Sequence, residues 1–199
     1  MDCAAEIIAI REEAASARPL YERYQDLRVI DIHNHGAAGM PWITLKLQEK
    51  YFIDRTVLFG NISEPSAIDT DRKAFKTYSR HPDEVYPFFA GIPLRDQTGI
   101  TMTVTNLEQG YLGIGEIVAA STYSPMTSRL PWKAQNPNDG ILPEIYRLSA
   151  KYGVPVLLHI DPPVGAPIRK LEQALRENPQ AIIIFGHANA YNAPGNIEK

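Results

Sequence analysis

The stretch from Leu27 to Gly36 reads Leu-Arg-Val-Ile-Asp-Ile-His-Asn-His-Gly. His33 and His35 place two imidazoles two residues apart. Val29, Ile30 and Ile32 give the stretch strand character, because β-branched side chains suit a pleated surface. Side chains two apart on a strand point the same way. Asp31, His33 and His35 therefore share one face, with Ile30, Ile32 and Asn34 on the other. Two imidazoles on one face, at the C-terminal end of a buried strand, can grip one metal ion. The plain alternative is a strand end with two partly exposed histidines and no metal, and His-x-His alone is a weak signal.

Three more groups join them further along. The chain has five histidines. His159 ends the apolar run Val154–Ile160, His187 follows the run Ala181–Phe185, and Glu116 lies near the end of Tyr111–Val118. Only His81 falls elsewhere, in a helix-to-strand turn before Pro82, and reads as surface. Each group has an ordinary alternative. His159 can be a core histidine bonded to a backbone carbonyl, His187 a cap for the next helix, and Glu116 a partner for a cation. Placement of all of them on strand ends is far harder to obtain by chance than any one.

The elements that must position these groups alternate. Residues 4–26 read as helix in two pieces, interrupted at Pro19, and precede a strand over about 28–35. Met40–Tyr51 is weakly helical after Pro41. Thr56–Phe59 is a second strand, residues 70–80 a helix with Ala74, Phe75 and Tyr78 on one side, and Tyr86–Ile92 a third strand. Residues 100–109 are ambiguous: Thr101, Thr103, Val104 and Thr105 favour strand, while the alternation asks for helix. Tyr111–Val118 is the fourth strand. Ile141, Ile145, Leu148 and Tyr152 form a helical stripe, with Gly153 where a C′ glycine belongs. Val154–Ile160 is the fifth strand. Pro167 opens a helix carrying Ile168, Leu171 and Leu175. Ala181–Phe185, an unbroken apolar run, reads as a sixth strand buried on both faces. Strands alternating with helices imply right-handed βα units and a parallel sheet. The strands begin about 25–35 residues apart, the size of one unit. An eight-unit barrel takes about 250 residues, so two units of eight are missing. The expected organisation is an N-terminal helical segment over 1–26 and a partial α/β barrel over 27–199.

In combination the pattern resembles the amidohydrolase superfamily of metal-dependent TIM-type (β/α)8 barrels. The closest branch is the amidohydrolase-2 type, which includes amide hydrolases, lactonases and decarboxylases. The matching pieces are Asp31-Ile-His-Asn-His, Gly115-Glu-Ile, Pro155-Val-Leu-Leu-His and Gly186-His-Ala, within about residues 28–190. The resemblance implies that His33, His35 and His159 bind metal and that Glu116 is a ligand or bridge. It implies that His187, as the catalytic histidine, polarises the substrate or binds a second ion. It also implies a barrel incomplete at its C-terminal end, because the family's strand-eight aspartate, both ligand and proton acceptor, has no counterpart. Asp161 is the nearest spare carboxylate, but strand five cannot reach the strand-eight position.

Imidazoles and a carboxylate suit Zn²⁺, with Mn²⁺, Fe²⁺ or Co²⁺ as alternatives and one or two ions expected. A bound cation lowers the pKa of water from about 16 to about 7, supplying hydroxide to attack a polarised carbonyl. In decarboxylase members the metal orients substrate instead. Specificity is expected from the βα loops. The longest runs from Ala119 to about Asp139 and carries Tyr123, Arg129 and Trp132, suited to an acidic or aromatic substrate. A solvated loop with incidental aromatics is the equal alternative. Arg95, just after strand three, is a second candidate for a substrate carboxylate.

Composition sets the remaining bounds. The 199 residues are 44% hydrophobic and 22% charged, with net charge −3. No basic run favours nucleic acid or anionic membrane. Cys3 is the only cysteine, so no intrachain disulfide forms. The N-terminus lacks a signal-peptide pattern and no segment approaches the roughly 18 apolar residues of a membrane span. A cytoplasmic protein acting on a small molecule, with homo-oligomerisation open, is the expectation. The leading function is a metal-dependent hydrolase acting on an amide, lactone or related carbonyl. The alternative is an inactive barrel fragment that at most binds metal. A histidinol-phosphatase-like phosphoesterase ranks lower, because no histidine occurs between His35 and His81.

Overall fold

The computed structural model describes residues 18–121, 124–161 and 166–187. The expected helix over residues 4–17, Tyr123, and everything beyond His187 lie outside the described residues. Six strands form one sheet: β1 (Ile30–Asn34), β2 (Arg55–Leu58), β3 (Val85–Phe89), β4 (Gly113–Ala120), β5 (Val156–Ile160) and β6 (Ile183–Phe185). Their spatial order is their chain order and every neighbouring pair is parallel. A doubly wound sheet would reverse its order partway; here each crossover steps the same way, as in a barrel. The sheet curls far enough that Gly186 O, just past β6, lies 3.2 Å from the His33 ring on β1.

Helix α1 (Leu20–Arg23) precedes β1, and the connections are helices α2 (Pro41–Tyr51), α3 (Ala67–Tyr78), α4 (Thr98–Gln109), α5 (Leu142–Tyr152) and α6 (Ala166–Glu177), with a 3₁₀ turn at Gly36–Ala38. The stripe on α5 is buried at Ile145 and Leu148, and Gly153 closes the helix at φ 67°, a conformation that costs glycine nothing. The ambiguous segment is helix α4. It buries Gly99, Thr103 and Leu107, four residues apart. Thr103 Oγ1 donates to Gly99 O at 2.7 Å, so the hydroxyl is satisfied inside the helix. Packing against the sheet overrides the strand preference of its threonines. Among the described residues no helix is long and apolar enough to cross a membrane.

The core centres on the middle strands. Every residue of β4 and β5 is buried, with Phe88, Phe89, Ile114, Ile117 and Leu157 packed together. The edges differ. β6 is not buried on both faces: its residues are half-buried or exposed, with Phe185 at 38%, and Ile182 just before it at 57%. β1 leaves Ile30 at 48% and Ile32 at 46%. An apolar run signals burial only where a strand has neighbours on both sides. Among the described residues β6 pairs with β5 alone.

Candidate metal centre

The first two imidazoles are delivered by a strand that breaks its own regularity. β1 pairs with β2 at Asp31↔Thr56 and next at Asn34↔Leu58, three residues against two. An extra residue of this kind re-aims side chains. Asp31 Oδ1 accepts from His33 N at 3.1 Å and Oδ2 from Asn34 Nδ2 at 2.8 Å. Asn34 Oδ1 in turn accepts from Gly36 N at 2.9 Å and Thr44 Oγ1 at 3.2 Å. These bonds turn the chain out of the sheet, and His35 leaves at φ −82°, ψ 18°. Simple alternation put Asp31 with the histidines; the structure turns its oxygens to neighbouring nitrogens and keeps only the two rings together.

Glu116 reaches the same place from the middle of β4, not its end, because β4 continues to Ala120. The β4–β5 register also skips there, from Ile114↔Val156 to Ile117↔Leu158. Gly115 has φ 137°, and a Cβ on it would lie 2.6 Å from Leu157 O. Only glycine permits this approach. His159 on β5 is 2% exposed, and His187 sits two residues past β6.

The five side chains meet around one carboxylate. Glu116 Oε2 is 3.3 Å from His33 Nε2 and 3.2 Å from His35 Nε2. Glu116 Oε1 is 2.9 Å from His159 Nδ1 and 2.6 Å from His187 Nε2. Burial alone would raise the Glu116 pKa. The imidazoles of His159, His187, His33 and His35 outweigh it and hold the carboxyl far below the usual carboxylate range. The hydrogen bond to Glu116 raises the pKa of His33, against its burial.

This donor set fits a divalent cation. His33 Nδ1 faces Gly186 O at 3.2 Å, and His35 Nδ1 faces Gly60 O at 2.8 Å. A carbonyl oxygen only accepts, so each Nδ1 carries its ring's proton. A backbone carbonyl on the far nitrogen is the usual support of a metal-binding histidine. The two Nε2 atoms, 3.3 Å apart, then turn lone pairs on each other and on Glu116 Oε2. Three such atoms repel unless a proton or a metal cation sits among them. His33, His35 and Glu116 form one group able to hold an ion, and Glu116, His159 and His187 a second.

A cavity of about 610 Å³ opens onto the cluster, lined by His35, Glu116, His159 and His187 together with Ile62, Glu64, Ser124, Met126, Thr127 and Leu130. Neither candidate arginine is among its lining residues. Arg95 Nε stands 3.8 Å from Asp139 Oδ2, and Arg129 is exposed. Each is aimed by a loop whose course composition does not encode. Trp132 is held by its backbone, donating to Ser63 O and accepting from Leu94 N, each at 3.1 Å. His81 sits against Glu84 at 3.0 Å, away from the cluster.

The sequence reading missed Glu64 and Thr127, which line the cavity from loops and carry no periodic signal. It noted Asp161 but missed its contacts. Asp161 Oδ2 accepts from Ser121 Oγ at 2.6 Å and Ser124 N at 3.0 Å, and lies 3.8 Å from His159 Nε2. Its signal was present, since a residue two past His159 shares its strand face.

No sequence-family model and no curated protein sequence matches the chain. Solved structures match in fold. An uncharacterized TIM-barrel protein from Bordetella bronchiseptica superposes with TM-score 0.55 at 13% identity, over 79% of this chain and 66% of that one. A 2,6-dihydroxybenzoate decarboxylase from Rhizobium gives 0.52 at 16% identity, over 83% and 72%. A 4-oxalomesaconate hydratase from Rhodopseudomonas palustris gives 0.52 at 15% identity, over 82% and 64%. The chain thus spans about two thirds of the length of the structures it matches. Likeness at these identities speaks to fold, and the fold is that of a TIM barrel through six of its strands.

Proposed function

We propose that this chain carries the metal centre of a metal-dependent hydrolase of the amidohydrolase superfamily, amidohydrolase-2 type, acting on a small carbonyl substrate. The observation that carries the reading is the shared Glu116 carboxylate, with one oxygen toward His33 and His35 and the other toward His159 and His187. The triangle of His33 Nε2, His35 Nε2 and Glu116 Oε2 has sides of 3.2–3.3 Å. A tetrahedron with about 2.0–2.1 Å from centre to vertex has edges of about 3.3–3.4 Å, so the spacing is compatible with zinc. Mn²⁺, Fe²⁺ and Co²⁺ remain alternatives, and a bridging Glu116 suits one ion or two.

A divalent ion held there supplies Lewis acidity, which activates a water and polarises a carbonyl. The chain's own residues do the rest. Glu116 and the β1 imidazoles fix the ligand geometry, with Nδ1 of both rings anchored on backbone carbonyls. His187, half-buried at the cavity, hydrogen-bonds the substrate oxygen. Ile62, Met126 and Leu130 lend apolar surface to a space within the usual volume of a small-molecule site. Decarboxylation or hydration is a second reading, favoured because two fold neighbours are a decarboxylase and a hydratase. Binding of metal without turnover is the third.

Elemental analysis of the purified, dialysed chain tests the proposal. One to two equivalents of a divalent ion are expected, lost in the double variant His33→Ala, His35→Ala. Unchanged metal content in that variant would place the site elsewhere.

A further inference from the structure

The loop after β4 and the end of β5 are joined by a chain of hydroxyls that ends on a metal-site histidine. Ser121 Oγ lies 2.6 Å from Asp161 Oδ2, Thr127 Oγ1 lies 2.7 Å from Ser121 Oγ, and His159 Nε2 lies 3.3 Å from Thr127 Oγ1. All four residues are buried. A hydroxyl has one proton to give. Ser121 gives its proton to the Asp161 carboxylate, so toward Thr127 it can only accept. Thr127 therefore donates to Ser121 and has no proton left for His159. Toward His159 it can only accept, so Nε2 of His159 must carry a proton. That leaves Nδ1, 2.9 Å from Glu116 Oε1, as the nitrogen that holds a proton toward the carboxylate or, in its place, a metal cation.

We propose that Ser121, Thr127 and Asp161 are positioning residues that lock His159 as the Nε2–H tautomer and so commit Nδ1 to the metal centre. The relay also orders the loop over the cavity. Asp161 Oδ2 accepts from Ser124 N at 3.0 Å as well, and Thr127 N approaches Ser124 Oγ at 3.3 Å. Ligand orientation and loop placement thus depend on the same atoms. The inference rests on reading the cluster as a metal centre, although the tautomer itself can be read without metal.

The test uses the 199-residue chain with ¹⁵N-labelled histidine, metal-free and zinc-loaded, and observes the His159 ring nitrogens by NMR. His159 is assigned by the signals lost in His159→Ala. The expected result is a proton on Nε2 of His159 in both states. Zinc affinity, measured by chelator competition, is expected to fall about 10- to 100-fold in Thr127→Val, as for other contacts behind a ligand. Thr127→Ser, which keeps the hydroxyl, should restore affinity and the Nε2–H signal. A bare Nε2 in the wild type, or Thr127→Val with unchanged affinity, overturns the relay. If Thr127→Val does not fold, Ser121→Ala is used for the same comparison. Wild-type protein that binds no zinc but shows Nε2–H would count against the metal centre and leave the relay standing.

Discussion

Glu116 holds a negative charge at 1% exposure with four imidazoles against its two oxygens. An isolated buried carboxylate would be costly and would neutralise; here its surroundings keep it ionised. Glu116→Gln preserves shape and removes the charge. It is expected to lower divalent-metal affinity by more than the 10- to 100-fold typical of an outer contact, measured by chelator competition. An unchanged affinity would show that the carboxylate is a bystander. At this scale the sequence was informative wherever chemistry depends on residue type on or just past a strand: His33, His35, His159, His187 and Glu116 all come together. It was silent where the contact is made by a loop hydroxyl, as at Thr127, or by a loop carboxylate, as at Glu64. Ser and Thr are common in loops for local reasons, and nothing in their spacing marks which one meets a ring.

The elements place these side chains through irregularities more than through regular strands. The extra residues in β1 and β4 set the aim of His33 and Glu116, whereas periodicity alone describes an unbroken pleat. That is why the alternation over Asp31, His33 and His35 gave the right rings and the wrong partner. The helix layer has its own anchor. Asp71 on α3 is 3% exposed and accepts from Ala90 N at 3.1 Å and Gly91 N at 2.8 Å. These bonds hold the chain just past β3, where the expected strand to Ile92 stops at Phe89. Burial pushes its carboxyl up from 3.8 to about 7, against the two N–H groups. The folded pKa is then above the unfolded one, so the native state holds the proton more tightly. The Asp71 contribution to stability therefore falls as pH rises from about 4 to about 7 and is level above, with a slope of at most about 1.4 kcal/mol per unit. Urea midpoints of the wild type should drop more steeply across that window than those of Asp71→Asn. Parallel pH profiles would contradict the assignment.

At the scale of the molecule, the spacing of strands and helices was enough to read six strands in a parallel sheet with helices between them, because each unit buries its own apolar stripe. Edge exposure was not readable, since an apolar run looks the same in a paired strand and in an edge strand. Ile30, Ile32, Ile182 and Phe185 lie on or beside the two edges, each at least 38% exposed. Edges that are unpaired among the described residues invite association, so the 199-residue chain by itself is expected to self-associate in sedimentation velocity. It is also expected to give no turnover of lactones, amides or ring-carboxylated acids. General acid–base assistance is worth about 10²- to 10⁴-fold, and in the proposed reading the group that supplies it belongs to an eighth strand, whereas the described residues form six. A monodisperse monomer with metal-dependent hydrolysis, abolished by His159→Ala, would contradict both expectations. What the curled sheet achieves is convergence of β1, β4, β5 and the residues past β6 on one point. X-ray absorption at the zinc edge of the reconstituted chain tests that convergence directly, whether or not the sample associates. The account predicts nitrogen and oxygen neighbours at about 2.0–2.1 Å with multiple-scattering features of at least two imidazoles, reduced in the His33→Ala, His35→Ala variant. A spectrum without imidazole features, or one the double variant leaves unchanged, would contradict it.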